Sequence, residues 1–192
     1  MIFKELSLSG AYLVMLDKHV DSRGFFARTW CQQEFEQHSL VARIVQSNMS
    51  FNKHKGTLRG MHYQIAPYEE TKLIRCTSGS IYDVIIDLRP DSPTYRQWVG
   101  VTLSAKAHPM LYVPAGFAHG FQTLEDDSEV SYQVSQFYAP EYERGLRYND
   151  PAFDIKWPLD ITVMSTKDQG WPDYMVEEPT GARADGRQGG VG

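Results

Sequence analysis

The chain has only two cysteines, Cys31 and Cys76. That is too few for a disulfide scaffold, and they lack the paired spacing of a zinc site. No window approaches the roughly 18 uninterrupted apolar residues of a membrane-spanning helix, so none is expected. The opening Met1-Ile2-Phe3-Lys4-Glu5 has no long apolar stretch of the kind a secretory signal carries. A cytoplasmic protein with reduced thiols is therefore the expectation. No Lys or Arg run offers a phosphate-neutralising stripe, and the formal charge is −5, which argues against nucleic acid as a partner. A small anionic ligand stays open, because it needs only a few well-placed cations.

What is present is β-rich. The 192 residues suffice for one domain with a sizeable core, and 42% hydrophobic with 22% charged residues is the usual balance for a globular protein. Short β-prone runs recur between turn signals at 11–16, 43–50, 57–65, 71–76, 80–88, 98–103, 110–113, 120–124 and 129–136. Arg89-Pro90-Asp91-Ser92-Pro93 reads as a turn, Gly79 and Gly116 can supply positive φ, and one short helix fits at 32–38 with Phe35 inward. Many short strands with little helix indicate a sandwich or barrel. In the run 80–88, Tyr82, Val84, Ile86 and Leu88 share an apolar face, while Ile81, Asp83, Ile85 and Asp87 share the other. Taken alone, that strand reads as core on the first face and solvent on the second. The competing reading turns Asp83 into a barrel that holds a polar ligand. The fold occupies 1–175. The segment 176–192, with five glycines and no apolar pattern, reads as a disordered tail.

The densest polar cluster is Leu58-Arg59-Gly60-Met61-His62-Tyr63-Gln64, followed by Lys72 and later by Pro114-Ala115-Gly116-Phe117-Ala118-His119-Gly120-Phe121. The P-x-G-x-x-H part resembles the second half of the cupin signature. In its first half His62 is followed by Tyr63 and Gln64, so the second histidine of a metal-binding cupin is missing. Glu69 and Glu70 could add carboxylates, but two lone histidines do not make a closed ligand set. The expectation is a site without metal or cofactor. Such a site must stabilise negative charge with protein cations, and Arg59 and Lys72 are at hand: Arg suits phosphate, Lys a developing oxyanion. Histidine as a residue type titrates near neutrality, so His62 can accept a carbon-bound proton made acidic by a carbonyl. In a regular strand Arg59 and His62 point to opposite faces. Gly60 between them marks a candidate bulge that brings both to one cavity.

With these motifs stands an ordered set: Asp21-Ser22-Arg23-Gly24-Phe25-Phe26, Val45-Gln46-Ser47-Asn48, Val99-Gly100-Val101-Thr102-Leu103-Ser104 and Ser165-Thr166-Lys167-Asp168. From about Phe3 to Asp173 the chain resembles the dTDP-4-dehydrorhamnose 3,5-epimerase family of the cupin superfamily. The resemblance implies an all-β, cupin-type double-stranded β-helix (jelly-roll) barrel with few short helices. It also implies an isomerase that inverts C3 and/or C5 of a nucleotide-linked 4-keto-6-deoxyhexose through an enolate. By position, His62 matches the base, Asp168 the carboxylate that holds it, Tyr132 the acid on the opposite sugar face, and Lys72 the cation at the C4 oxygen. Arg23, Arg59 and His119 match groups gripping diphosphate and sugar, and Phe26 and Tyr138 match residues lining or stacking on the nucleotide. Gln46, Ser47, Asn48, Glu143 and Lys167 match further ligand contacts. Arg28 stands near the nucleotide where many members carry Glu, which puts the base or sugar preference in question, and Gln133 stands where Lys is common.

Other readings compete. A 3-only or 5-only epimerase, or a 3,4-ketoisomerase, would use the same chemistry. A metal-dependent cupin or a non-catalytic sugar-binding cupin would not. The family's dimers exchange N-terminal strands, and residues 1–16 fit such a strand, so a homodimer is expected. His19, His38, His54 and His108 read as surface residues, and Trp30, Trp98, Trp157 and Trp171 as packing residues.

Overall fold

The computed structural model describes residues 1–175. The reading of 176–192 as a tail lies outside the described residues. Two sheets face each other and close a barrel. The first runs in the order β1 (Ile2–Glu5), β2 (Tyr12–Met15), β10 (Met110–Val113), β7 (Lys72–Ser78), β12 (Ser128–Val134) and β5 (Gln46–Asn52). The second runs β13 (Glu143–Gly145), β6 (Thr57–Gln64), β11 (Phe117–Thr123), β8 (Ser80–Asp87) and β9 (Trp98–Ser104), and β14 (Val163–Met164) adds to β6 in parallel. A separate hairpin joins β3 (His19–Asp21) to β4 (Gly24–Phe26). The helices are short: α1 (Gln32–Gln37), with Phe35 buried as expected, and α2 (Thr166–Gln169). This is the jelly-roll barrel that the family resemblance implies, one form of the sandwich or barrel that the strand-rich sequence indicates.

Period-two alternation sorts the side chains. Inside the barrel, Ile74, Cys76, Leu111, Val113 and Val130 of the first sheet meet Ile81, Ile85, Leu103, Phe117 and Phe121 of the second. Burial pushes the Cys76 thiol up to about 11, so it is an inert core residue rather than a nucleophile. On the outer face of the second sheet, Met61, Val84, Ile86 and Ala118 are covered by Leu146, Phe153 and Ile155. Trp98 and Trp157 pack there, and their indole N–H groups donate to the carbonyls of Phe153 and Tyr148. On the outer face of the first sheet, Val14, Leu73, Met110 and Tyr112 are covered by Phe35 and Ala42.

Two expectations change. Asp83 and Asp87 do not face solvent; both are fully buried. They share the barrel-facing side with Ile81 and Ile85, and each has a cationic or hydrogen-bonding partner that offsets desolvation. Asp87 accepts from Arg89, Ser92 and Thr94 at the turn the prolines mark. Asp83 pairs with His119. The second change is at β11, which starts at Phe117 rather than at residue 120. The run Phe117-Ala118-His119 reads as loop after Pro114 and Gly116, but it pairs with Asp87 to Ile85 of β8.

Candidate active site

The barrel core stops short of one end, and polar side chains take over along the same strands. On β7, Lys72 continues the inward face of Ile74 and Cys76. On β12, Tyr132 follows Val130. They face His62 of β6 and His119 of β11, which stand directly opposite each other in the ladder. A cleft of about 520 Å³ is lined by Arg59, His62, Lys72, His119, Tyr132, Lys167 and Asp168, together with Met49, Ser50, Phe51, Phe121 and Ser165. A second lobe of about 400 Å³ holds Gln46, Asn48, Tyr63, Gln64, Glu70, Tyr138 and Glu143. His62, Lys72 and Tyr132 line both lobes, so they stand at the junction.

The bulge at Gly60 is present. Arg59 pairs with Phe121 and His62 with His119, so β6 spends three steps where β11 spends two. Gly60 has φ 118°, and a Cβ there would lie 2.5 Å from Cα of Gly120, so only glycine lets the strands approach this closely. The extra residue turns Arg59 into the cleft that holds His62. Asn52 of β5 fixes the arginine by accepting its Nε–H at 2.7 Å.

His62 is held through Nε2, 2.6 Å from an oxygen of Asp168. Asp168 sits on α2, whose N-cap Ser165 accepts its backbone N–H at 3.0 Å. The backbone N–H of Gly60 approaches the other carboxylate oxygen at 3.4 Å. Burial alone would raise the Asp168 pKa. The hydrogen bond and charge of His62, with the Gly60 and Ser165 contacts, outweigh it and hold the carboxyl below its usual value. An ionised Asp168 accepts a hydrogen bond from Nε2–H, and in a neutral imidazole so held the lone pair is on Nδ1. Across the cleft, burial raises the Tyr132 phenol, and the nearby Glu70 adds to the rise against Arg59. Tyr132 therefore keeps its proton at neutral pH and can donate it.

Lys72 is nearly buried, and its Nζ lies 3.1 Å from Glu70. Glu70 also accepts from Gln64 at 3.3 Å. Sequence reading weighed Glu70 only as a metal ligand. It lies two residues before Lys72, in the loop that leads into β7. At the mouth of the second lobe, Glu143 accepts from Tyr138 at 2.5 Å and from Lys167 at 2.6 Å. That hydrogen bond pushes the Tyr138 phenol up to about 12. Gln46 accepts the Tyr138 backbone N–H at 2.8 Å.

Five of the sequence-nominated contacts are placed elsewhere. Asp83 does not line the cleft; it lies behind His119, with its carboxylate oxygens 2.9 and 3.1 Å from Nε2. Ser47 points to the outer face of the first sheet, beside Arg75, Ser131 and Gln133, because it alternates with the inward Gln46 and Asn48. Arg23, Phe26 and Arg28 are carried on or beside the β3–β4 hairpin, away from this chain's own cleft. Arg23 pairs with Asp21, Phe26 is 71% exposed, and Arg28 lies 3.4 Å from Glu34. Among the described residues no three His, Cys, Asp or Glu side chains cluster as a metal site would require.

A family model for dTDP-4-dehydrorhamnose 3,5-epimerase matches residues 5–175. The chain belongs to this epimerase family. A relative described as dTDP-4-dehydrorhamnose 3,5-epimerase, from Sinorhizobium fredii, is 42% identical over 173 residues, covering 90% of this chain and 89% of the relative. The crystal structure of a Bacillus anthracis dTDP-4-dehydrorhamnose 3,5-epimerase with TDP and PPi bound aligns with TM-score 0.87 at 40% identity. It covers 90% of this chain and 99% of that one. The 3'-monoepimerase ChmJ of Streptomyces bikiniensis, in complex with dTDP-quinovose, aligns with TM-score 0.80 at 33% identity over 88% of this chain and 85% of its own. The cleft of this epimerase-family chain is rich in cations, as an anionic ligand demands. Arg59, Lys72 and Lys167 line the first lobe against one carboxylate, Asp168.

Proposed function

We propose that the chain is an isomerase that inverts C3 and C5 of a dTDP-linked 4-keto-6-deoxyhexose. The observation that carries the reading is the junction, where a carboxylate-held imidazole, a phenol that keeps its proton, and a near-buried ammonium line one cleft. The C4 ketone acidifies the hydrogens on C3 and C5. His62 Nδ1 takes one of them. The electron pair left on carbon moves into the carbonyl and forms an enolate, whose oxygen Lys72 stabilises. Tyr132 returns a proton to the carbon from the other face, which inverts it. Arg59, with Lys167, suits the diphosphate. In this reading His119, whose Nε2 is held by buried Asp83, offers Nδ1 as an acceptor to a sugar hydroxyl. Gln46, Asn48, Tyr138 and Glu143 form the second lobe, which suits the nucleoside.

The hairpin completes the picture as a homodimer. Val20, Phe25 and Phe26 are 76%, 46% and 71% exposed, an apolar surface that a single chain leaves uncovered. In our reading a second copy covers it, and Arg23, Phe26 and Arg28 reach the partner's cleft rather than their own. Light scattering is expected to give twice the chain mass; a monomer at micromolar concentration would contradict this.

The substrate reading is tested by incubating the protein with dTDP-4-keto-6-deoxyglucose in D₂O and locating the label by NMR. Deuterium is expected at C3 and C5. Label at C3 alone would assign the chain to the monoepimerase class that ChmJ represents, and no label would overturn the function.

A further inference from the structure

One short segment supplies His62 with two neighbours. α2 carries Asp168, and three residues later comes Trp171, whose indole stands at a steep angle to the imidazole. The ring centroids are 6.2 Å apart and the planes meet at 69°. This is the T-shaped arrangement that aromatic quadrupoles favour. The residue opposite His62 on β13 is Gly145. A Cβ there would lie 2.2 Å from the indole ring. Gly145 does not have a positive φ, so its backbone does not require glycine. The missing side chain is the slot that Trp171 fills.

The segment is tied down on its far side. The Arg147 N–H donates to the Pro172 carbonyl at 3.1 Å, and its guanidinium lies 2.7 Å from Asp173. The Tyr174 N–H donates to the Asp150 carboxylate, and the Tyr174 and Tyr95 hydroxyls are 2.7 Å apart. On the near side, the Lys167 ammonium stands 5.6 Å over the indole while it pairs with Glu143. The indole N–H is buried and has no hydrogen-bond partner among the described residues. The indole N–H therefore contributes no bond, and the ring acts on the imidazole through its bulk and aromatic face alone.

We propose that Trp171 is a positioning residue for the His62 base, an inference that rests on the assignment of His62 above. The hydrogen bond to Asp168 fixes one ring nitrogen but leaves the ring free to swing about that bond. The indole beside the ring removes this freedom and keeps Nδ1 directed at the hydrogen to be removed. Lost alignment of a reacting group costs up to about 100-fold in rate. Trp171 touches neither substrate nor reacting atom in this account; it acts through the imidazole.

The test is a double-mutant cycle on Trp171 and Gly145, with kcat and KM measured separately and folding checked by thermal unfolding. Trp171→Ala is expected to lower kcat by about 10- to 100-fold with little change in KM, and Trp171→Phe to recover most of the loss. Gly145→Ala drives a methyl into the indole and is expected to lower kcat in the same way. In the double variant the second change is expected to cost nothing further, because the contact it disturbs is already gone. The inference is overturned if Trp171→Ala keeps normal kcat, if the defect lies in KM alone, or if the two losses multiply. Should Trp171→Ala fail to fold, Gly145→Ala and Trp171→Phe decide: normal kcat in Gly145→Ala overturns the inference, and a kcat loss there with near-normal Trp171→Phe supports it. A wild type that exchanges no hydrogen into the sugar overturns the function together with this inference. An active wild type with an unimpaired Trp171→Ala overturns this inference alone.

Discussion

Replacing His62 with Gln is expected to lower turnover by about 10²- to 10⁴-fold and to stop hydrogen exchange at both C3 and C5. The size follows from what is lost. The acidified hydrogen on carbon still needs an acceptor in the cleft, and the neighbouring bases are unsuited. Asp168 is turned toward the imidazole and held below its usual pKa, which makes it a weak base. Lys72 is tied to Glu70 at 3.1 Å. His119 is held by a carboxylate in the same way but is the more deeply buried ring, 11% exposed against 32% for His62. The glutamine keeps polarity near Asp168, so the fold is expected to survive, which thermal unfolding checks. Binding of dTDP, measured by calorimetry, is expected to change little, because Arg59 and Lys167 remain. Near-normal turnover would remove His62 from the base role.

Asp168→Asn is expected to approach the same loss, up to about 10⁴-fold, by a different route. The 2.6 Å bond to Nε2 sets the tautomer of His62 as well as its orientation. An asparagine can turn its NH₂ toward Nε2. The ring proton then moves to Nδ1, and the lone pair no longer faces the substrate. Turnover of the asparagine variant is therefore expected to fall while dTDP binding holds. The carboxylate also contributes to stability, and the sign is set by its depressed pKa. That contribution is fully present above the unfolded-state value near 4 and is lost as pH falls through the lower folded value. Wild type is expected to lose stability relative to Asp168→Asn only in that acid window, which thermal unfolding at stepped pH would show.

Much of the site was legible because each signal was local. Lys72 and Tyr132 were nominated by the family resemblance, and the structure sets both beside inward neighbours on their strands. Gly60 marked the bulge that brings Arg59 beside His62, and the structure has it. The rest depended on distance through the barrel. The buried Asp83 looked solvent-facing because its partner His119 comes from β11, 36 residues later. Ser47 seemed to belong with Gln46 and Asn48, but one residue of register turns it to the other side of the sheet. Arg23 and Phe26 sit on a hairpin that forms its own two-stranded sheet, apart from the two barrel sheets that build the cleft. Trp171 read as a packing residue, which it is. Its packing against the imidazole depends on the slot at Gly145, which neither residue's neighbours in sequence mark.

The central claim is that base and acid work from opposite faces of the sugar. The measurement that tests it most directly is the fate of the substrate with Tyr132→Phe in D₂O, reading deuterium content and configuration at C3 and C5 together by NMR. His62 is intact in this variant and still removes the hydrogen, but only its own face can return one. The account predicts deuterium incorporation with retained configuration and a turnover to inverted product reduced by about 10²- to 10⁴-fold. Inversion at the wild-type rate in Tyr132→Phe would contradict it.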